Sequence, residues 1–112
     1  MDDCNYPEMI ERLPDIDLPV VGVRGKLVQA GDQQMVFFDI LPSAKIPPHS
    51  HGAQWGIVID GELDLTIDGQ TLNLKKGDSY FIPAGAVHSA TFRVRSQILD
   101  YFDEPARYRP NN

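Results

Sequence analysis

"GELDLTIDGQTLNLKKGDSYFIPAGAVHSATFRV", residues 61–94, holds four short runs of four to eight residues, each closed by a turn signal. In "LDLTID" the apolar Leu63, Leu65 and Ile67 alternate with Asp64, Thr66 and Asp68, the pattern of a strand with one buried and one wet face. Asp68-Gly69 has the positive-φ chemistry of a two-residue hairpin turn, and Gly61-Glu62 and Lys76-Gly77-Asp78 mark bends. "TLNL", "SYFIP" and "VHSATFRV" complete the series.

The same texture extends in both directions. "QWGIVID" precedes the stretch and "QILDYFD" follows it, while "VVGVRGKLVQA" and "QQMVFFDIL", joined by Ala30-Gly31-Asp32, read as an antiparallel hairpin rich in Val, Ile and Phe. Pro42 to Pro48 reads as a loop. Eight or so short antiparallel strands in so small a chain predict an all-β domain, a jelly roll or a small sandwich. One helix is expected: in "YPEMIERL" Met9, Ile10 and Leu13 recur at helical spacing behind a proline, and Pro14 stops the run. So short a helix must pack against its own barrel or against a second subunit, and with open sheet edges to cover the expected state is a homodimer.

Composition bounds the partners. At 112 residues the chain holds one domain spanning residues 1–112, with 42% apolar and 23% charged residues, 9 glycines and 9 prolines. Sixteen acidic against ten basic residues leave a formal charge of −6, which argues against a nucleic acid or an anionic membrane as partner and for a small molecule. No apolar run approaches the ~20 residues that span a bilayer, and "MDDCNYPEM" is acidic where a secretory signal is basic, so the expected location is cytoplasmic. The single cysteine, Cys4, has no internal disulfide partner and is read as inert.

The chain has only three histidines, and two of them, His49 and His51, stand one residue apart behind Ile46-Pro47-Pro48. In an extended stretch residues two apart point to the same face, close enough to share one ion, and the proline pair lowers the entropy lost on fixing them. The third, His88, ends "GDSYFIPAGAVH", where a proline-glycine turn delivers it to the start of another strand.

This two-part arrangement resembles the cupin superfamily. Its second motif, Gly, five residues, Pro-x-Gly, two residues, His, three residues, Asn, is met by Gly77, Pro83, Gly85 and His88 and fails only at Phe92 (region about 77–92). Its first motif is met by His49, His51 and Gly61 (region about 43–61), with Ser43 in place of the leading glycine and Gln54 in place of the glutamate, one position early. The resemblance implies a double-stranded β-helix, that is, a jelly-roll barrel, and a site in which His49, His51, His88 and Gln54 bind one divalent transition metal.

In a regular strand residue 54 would face away from residue 51, so joining the site requires a kink, which Gly52 can supply. A Gln54 ligand would be a neutral amide oxygen, leaving the ion's charge uncancelled and the ion a stronger Lewis acid. The other reading keeps Gln54 in the wall, or on a metal-bound water, with three histidines as ligands. Nitrogen-rich ligation points to Zn, Ni, Fe or Cu rather than Mg or Ca without choosing among them, and Mn completes the candidates. Trp55, the next residue, is expected to pack against core or partner on the opposite side.

In "QILDYFD" alternation places Asp100 between Ile98 and Phe102 on one face. Facing the barrel, Asp100 would be a desolvated carboxylate near the metal, as a general base needs; otherwise it is a strand-end acid paired with Arg107, Arg93 or Arg95. The tail is also similar to that of small cupins that act on unsaturated uronates and assist their linearisation; by position this implies roles for Gln54, Asp100, Phe102 and Arg107. Tyr80 and Phe37 are candidates to line a substrate pocket or to serve as core. Three functions stay open: a metal-dependent enzyme acting as Lewis acid on a small carbonyl or sugar-acid substrate, an oxygen-dependent Fe or Cu enzyme of dioxygenase type, and a non-catalytic small-ligand binder.

Overall fold

The hairpin expected between Val20 and Leu41 forms with unbroken register. In the computed structural model, which describes residues 6–111, β2 (Val23–Ala30) and β3 (Gln33–Ile40) pair antiparallel from Val23↔Ile40 to Ala30↔Gln33. Cys4 lies outside the described residues.

The 61–94 stretch likewise becomes four strands, β6 (Glu62–Ile67), β7 (Gln70–Lys75), β8 (Ser79–Ile82) and β9 (His88–Phe92). Asp68 and Gly69, at φ 47° and 84°, make the two-residue turn that sets Ile67 against Gln70. Gly61 turns the chain from β5 (Gln54–Asp60) into β6 at φ 108°, where a Cβ would also lie 2.6 Å from the Ser96 Cα, so only glycine fits. The last long strand, β10 (Ser96–Phe102), pairs with β3 on one side and β5 on the other.

Two antiparallel sheets result, one of seven strands and one of four, facing each other as a jelly roll. The larger has the order β11-β1-β2-β3-β10-β5-β8 and the smaller β4-β9-β6-β7, with β1 (Asp15–Ile16), β4 (Lys45–His49) and β11 (Pro110–Asn111) completing them. The core fills the space between: Val36, Val58 and Ile98 from the larger sheet meet Leu63, Leu65 and Phe92 from the smaller. The alternation in "LDLTID" is thus the sheet's inside and outside.

Three expectations need correction. Pro42 to Pro48 is not all loop, because β4 begins at Lys45 and pairs with β9; the register shifts between Ile46 and His49, where Pro47 and Pro48 have no N–H for the ladder. The helix shrinks to one turn, α1 (Glu8–Glu11), and Met9 is 69% exposed rather than packed. Its neighbourhood is held by polar ties instead: the Tyr6 hydroxyl donates to the Phe38 carbonyl at 2.6 Å, and Arg24 bridges Glu11 and Asp39. The two-residue strands β1 and β11 escaped the reading, since two residues carry no periodicity. Among the described residues no helix is long and apolar enough to cross a membrane.

Candidate metal centre

The proline pair that interrupts β4 also delivers the first histidine of the cluster. Directly after it His49 pairs across strands with His88, the first residue of β9, so residues far apart in sequence become neighbours. The chain then leaves the smaller sheet through His51 and bends at Gly52 to enter β5 in the larger one at Gln54. The Pro83–Gly85 turn is tied to the same link, with Gly85 N–H donating to the His51 carbonyl at 2.9 Å.

The three imidazoles converge. Ring centroids are 4.2 Å apart for His49–His88, 4.8 Å for His51–His88 and 5.2 Å for His49–His51, and one nitrogen from each lies within 4.8 Å of the others. Each Nδ1 meets a backbone carbonyl: His49 at Pro47 (2.8 Å), His51 at Gly52 (2.9 Å) and His88 at Ala86 (3.0 Å). A carbonyl only accepts, so Nδ1 is the donor in each ring; in a neutral imidazole this arrangement leaves the lone pair on Nε2, the state a metal ligand needs. Burial, the largest cause, holds His51 and His88 below the ordinary histidine pKa; the carbonyl bonds act against it, and Arg107 adds to the lowering.

Gln54 is buried, and its Oε1 has no hydrogen-bond partner in the protein. Its amide does bond to the side chains of Asp100 and Tyr80. With Oε1 unpartnered, that bond is donated by the amide N–H, which leaves the oxygen as an orphan acceptor lining the same cavity as the histidines. An orphan buried acceptor costs about 1–3 kcal/mol unless something binds it. Three imidazoles with Nε2 available and one unpartnered amide oxygen are a donor set that fits a transition-metal ion.

Beside this set, one row crosses three strands of the larger sheet: Asp100 on β10 pairs with Gly56 on β5, which pairs with Tyr80 on β8. Because Gly56 has no side chain, Tyr80 reaches over it and donates from its hydroxyl to Asp100 Oδ1 at 2.5 Å. Burial pushes the Asp100 carboxyl up to about 6, against the pull of the Tyr80 and Gln54 hydrogen bonds, and it pushes the Tyr80 hydroxyl well above its ordinary value. The arginine pairing considered for Asp100 does not form: Arg93 binds Asp64, Arg95 binds Asp39, and the Arg107 guanidinium lies 4.8 Å over the Tyr108 ring.

The histidines, Gln54, Asp100 and Tyr80 form the polar end of a cavity of about 80 Å³ whose remaining wall is largely apolar, including Phe38, Leu65 and Ile98. Phe102 belongs to that wall, its ring 5.6 Å from His51. Arg107 Nε is buried without a hydrogen-bond partner. Phe37 is not in the cavity: it alternates with inward Val36 and Phe38, so it faces outward, 5.6 Å from the Tyr6 ring. Trp55, opposite to buried Gln54, is 43% exposed. The sequence reading missed Glu104, whose carboxylate accepts from Gly52 N–H at 2.6 Å and stands 3.3 Å from His51 Nδ1; no pattern in an acidic tail marks a contact with a residue so distant in sequence.

Comparison with known proteins agrees with this geometry. The family described as "Cupin domain" matches residues 36–97. A search of curated proteins gives no match. Among solved structures, an RmlC-like cupin from Shewanella frigidimarina superposes with TM-score 0.77 at 24% identity, covering 96% of this chain and 94% of that one. KdgF from a Halomonas species gives 0.72 at 26%, covering 83% and 87%. The Bacillus subtilis oxalate decarboxylase, described for its Mn(II) centres, gives 0.71 at 21%, covering 87% of this chain and 29% of that one.

Proposed function

This chain belongs to the cupin domain family, and on that premise we propose that it is a small metal-dependent enzyme acting on a small carbonyl or sugar-acid substrate. The observation that carries the reading is the placement of three Nδ1-anchored histidines and an orphan amide oxygen beside a buried carboxylate, in one cavity. His49, His51, His88 and Gln54 would hold one divalent ion, drawn from Zn, Ni, Fe, Mn or Cu. Bound there, the ion would polarise a substrate carbonyl as a Lewis acid.

The chain's own groups do the rest. Asp100, raised to about 6, is suited to take a proton from substrate near neutral pH and give it back, with Tyr80 holding the carboxylate in place. Arg107 does not line the cavity, but its charge is felt at His51 and His88 and would draw a substrate carboxylate towards the site, while Phe102 bounds the space. The resemblance of the tail to uronate-linearising cupins favours a sugar acid. The molecule works as a homodimer in this reading: Trp55 and Phe81 are cross-strand partners, 43% and 59% exposed, on the outer face beside the edge strand β8.

The test is elemental analysis of protein purified without a histidine tag, followed by a substrate screen in the metal found. About one ion per chain and turnover abolished by chelation are expected, with Asp100→Asn folded but inactive. Protein that takes up no ion overturns the reading. Oxygen consumption during turnover would move it to the dioxygenase class, and tight ligand binding without turnover under any metal would make it a binding module.

A further inference from the structure

We infer that Glu104 is a positioning residue for the metal centre, the group that fixes the orientation of His51 and ties the C-terminal segment to the ligand set; this rests on the metal-binding reading above.

Three independent observations carry it. The Glu104 Oε2 atom accepts a 2.6 Å hydrogen bond from Gly52 N–H, and so holds the residue whose carbonyl accepts from His51 Nδ1 at 2.9 Å; the same carboxylate oxygen lies 3.3 Å from that nitrogen. Gly52 is shaped for this contact: a Cβ at that position would stand 2.6 Å from Glu104 Cγ, so any side chain there displaces the carboxylate. The flanking residues hold Glu104 in place from both sides. Asp103 N–H donates to the Ala53 carbonyl at 2.9 Å, Gln29 Nε2 donates to the Pro105 carbonyl at 3.0 Å, and Gln34 exchanges two hydrogen bonds of 2.9 Å with the Tyr108 backbone.

The carboxylate sits on the Nδ1 side of the ring, so it is an outer partner and not a fourth ligand. By holding the Gly52 peptide it fixes the carbonyl to which Nδ1–H donates, and with it the tautomer and the rotation of the ring, which is how an outer partner strengthens an imidazole ligand. The other two histidines have only a carbonyl in this position. His51 is also the ligand on an irregular link between the sheets, where no strand pairing holds the backbone. It is the ligand that most needs an added restraint.

The experiment measures Zn(II) affinity by chelator competition, and the visible spectrum of Co(II)-loaded protein, for wild type, Glu104→Ala and Glu104→Gln. Glu104→Ala is expected to bind Zn(II) about 10- to 100-fold more weakly and to shift the Co(II) bands. Glu104→Gln keeps an acceptor for Gly52 N–H, so it should restore the spectrum and recover most of the affinity; because it replaces one oxygen by nitrogen, it also keeps the fold if the alanine variant does not. Affinity and spectrum unchanged in both variants overturn the inference while leaving the metal centre standing. Wild-type protein that takes up neither ion overturns the metal reading, and this inference with it.

Discussion

The Tyr80 hydroxyl and Asp100 Oδ1 meet at 2.5 Å across a strand that contributes nothing but the backbone of Gly56. Tyr80 and Asp100 are on strands that do not touch, β8 and β10, and the missing side chain on β5 makes their contact possible. A Cβ on residue 56 would overlap both the carboxylate and the tyrosine ring.

Gly56→Ala should therefore break the Tyr80–Asp100 hydrogen bond. Both groups are buried, so the overpacking should cost about 1–3 kcal/mol of stability. Urea denaturation checks the loss; wild-type stability in Gly56→Ala would mean that the row tolerates separation.

Asp100→Asn should stabilise the metal-free protein at neutral pH. The folded carboxyl titrates at about 6 against the ordinary 3.8, so the folded state prefers it protonated. Its destabilising contribution is absent below about pH 4, grows as pH rises from 3.8 to about 6 and is then constant, on the order of 3 kcal/mol at most. The asparagine keeps an amide oxygen to accept from the Tyr80 hydroxyl. Denaturation curves of both proteins at pH 4 and pH 7.5 should coincide at the lower value and separate at the higher.

Asp39 has the opposite sign. Burial pushes its carboxyl up, but the hydrogen bonds and charges of Arg95 and Arg24 outweigh burial and hold it below the ordinary value. Arg95 grips it at 2.9 and 2.7 Å and Arg24 at 3.1 Å. The stabilisation is present above the ordinary carboxylate range and is lost as pH falls below it. Asp39→Asn should lower stability at pH 7 by about 1–3 kcal/mol, with the gap closing in acid. It should also loosen the Arg24 bridge to Glu11, read as faster proteolysis of the N-terminal segment.

Divalent transition ions should raise the melting temperature, because an ion bound only to the folded state adds about 2.7 kcal/mol at a hundredfold excess over Kd. Chelation should reverse the shift. His88→Ala removes one of the three converging imidazoles and a buried strand residue, so its own melting temperature falls, but the diagnostic result is loss of the ion-dependent increment. An increment that survives in His88→Ala would place the ion elsewhere.

Most of the architecture was legible because strands announce themselves locally. Alternation in "LDLTID" and the positive-φ pair Asp68-Gly69 state their geometry within a few residues, and both appear as read. What failed was equally local in cause. Prolines masked β4, whose pairing resumes beyond them, and the helical spacing of Met9, Ile10 and Leu13 could not say that a single turn would be held by Arg24 and Tyr6 instead of by apolar packing.

Sequence by itself determined an all-β chain with three histidines on two separate segments and an acid inserted among apolar residues of the last long strand, since period and turn chemistry act over neighbouring residues. Only the tertiary structure decided that His49 faces His88 across a ladder, that Tyr80 reaches Asp100 over Gly56, that Glu104 backs His51, and that Phe37 looks away from the cavity. Each of these is a pairing between strands or segments distant in the chain, and it is set by sheet register and by which face of a sheet is buried. Those are properties of how the strands associate, and no short stretch of sequence contains them.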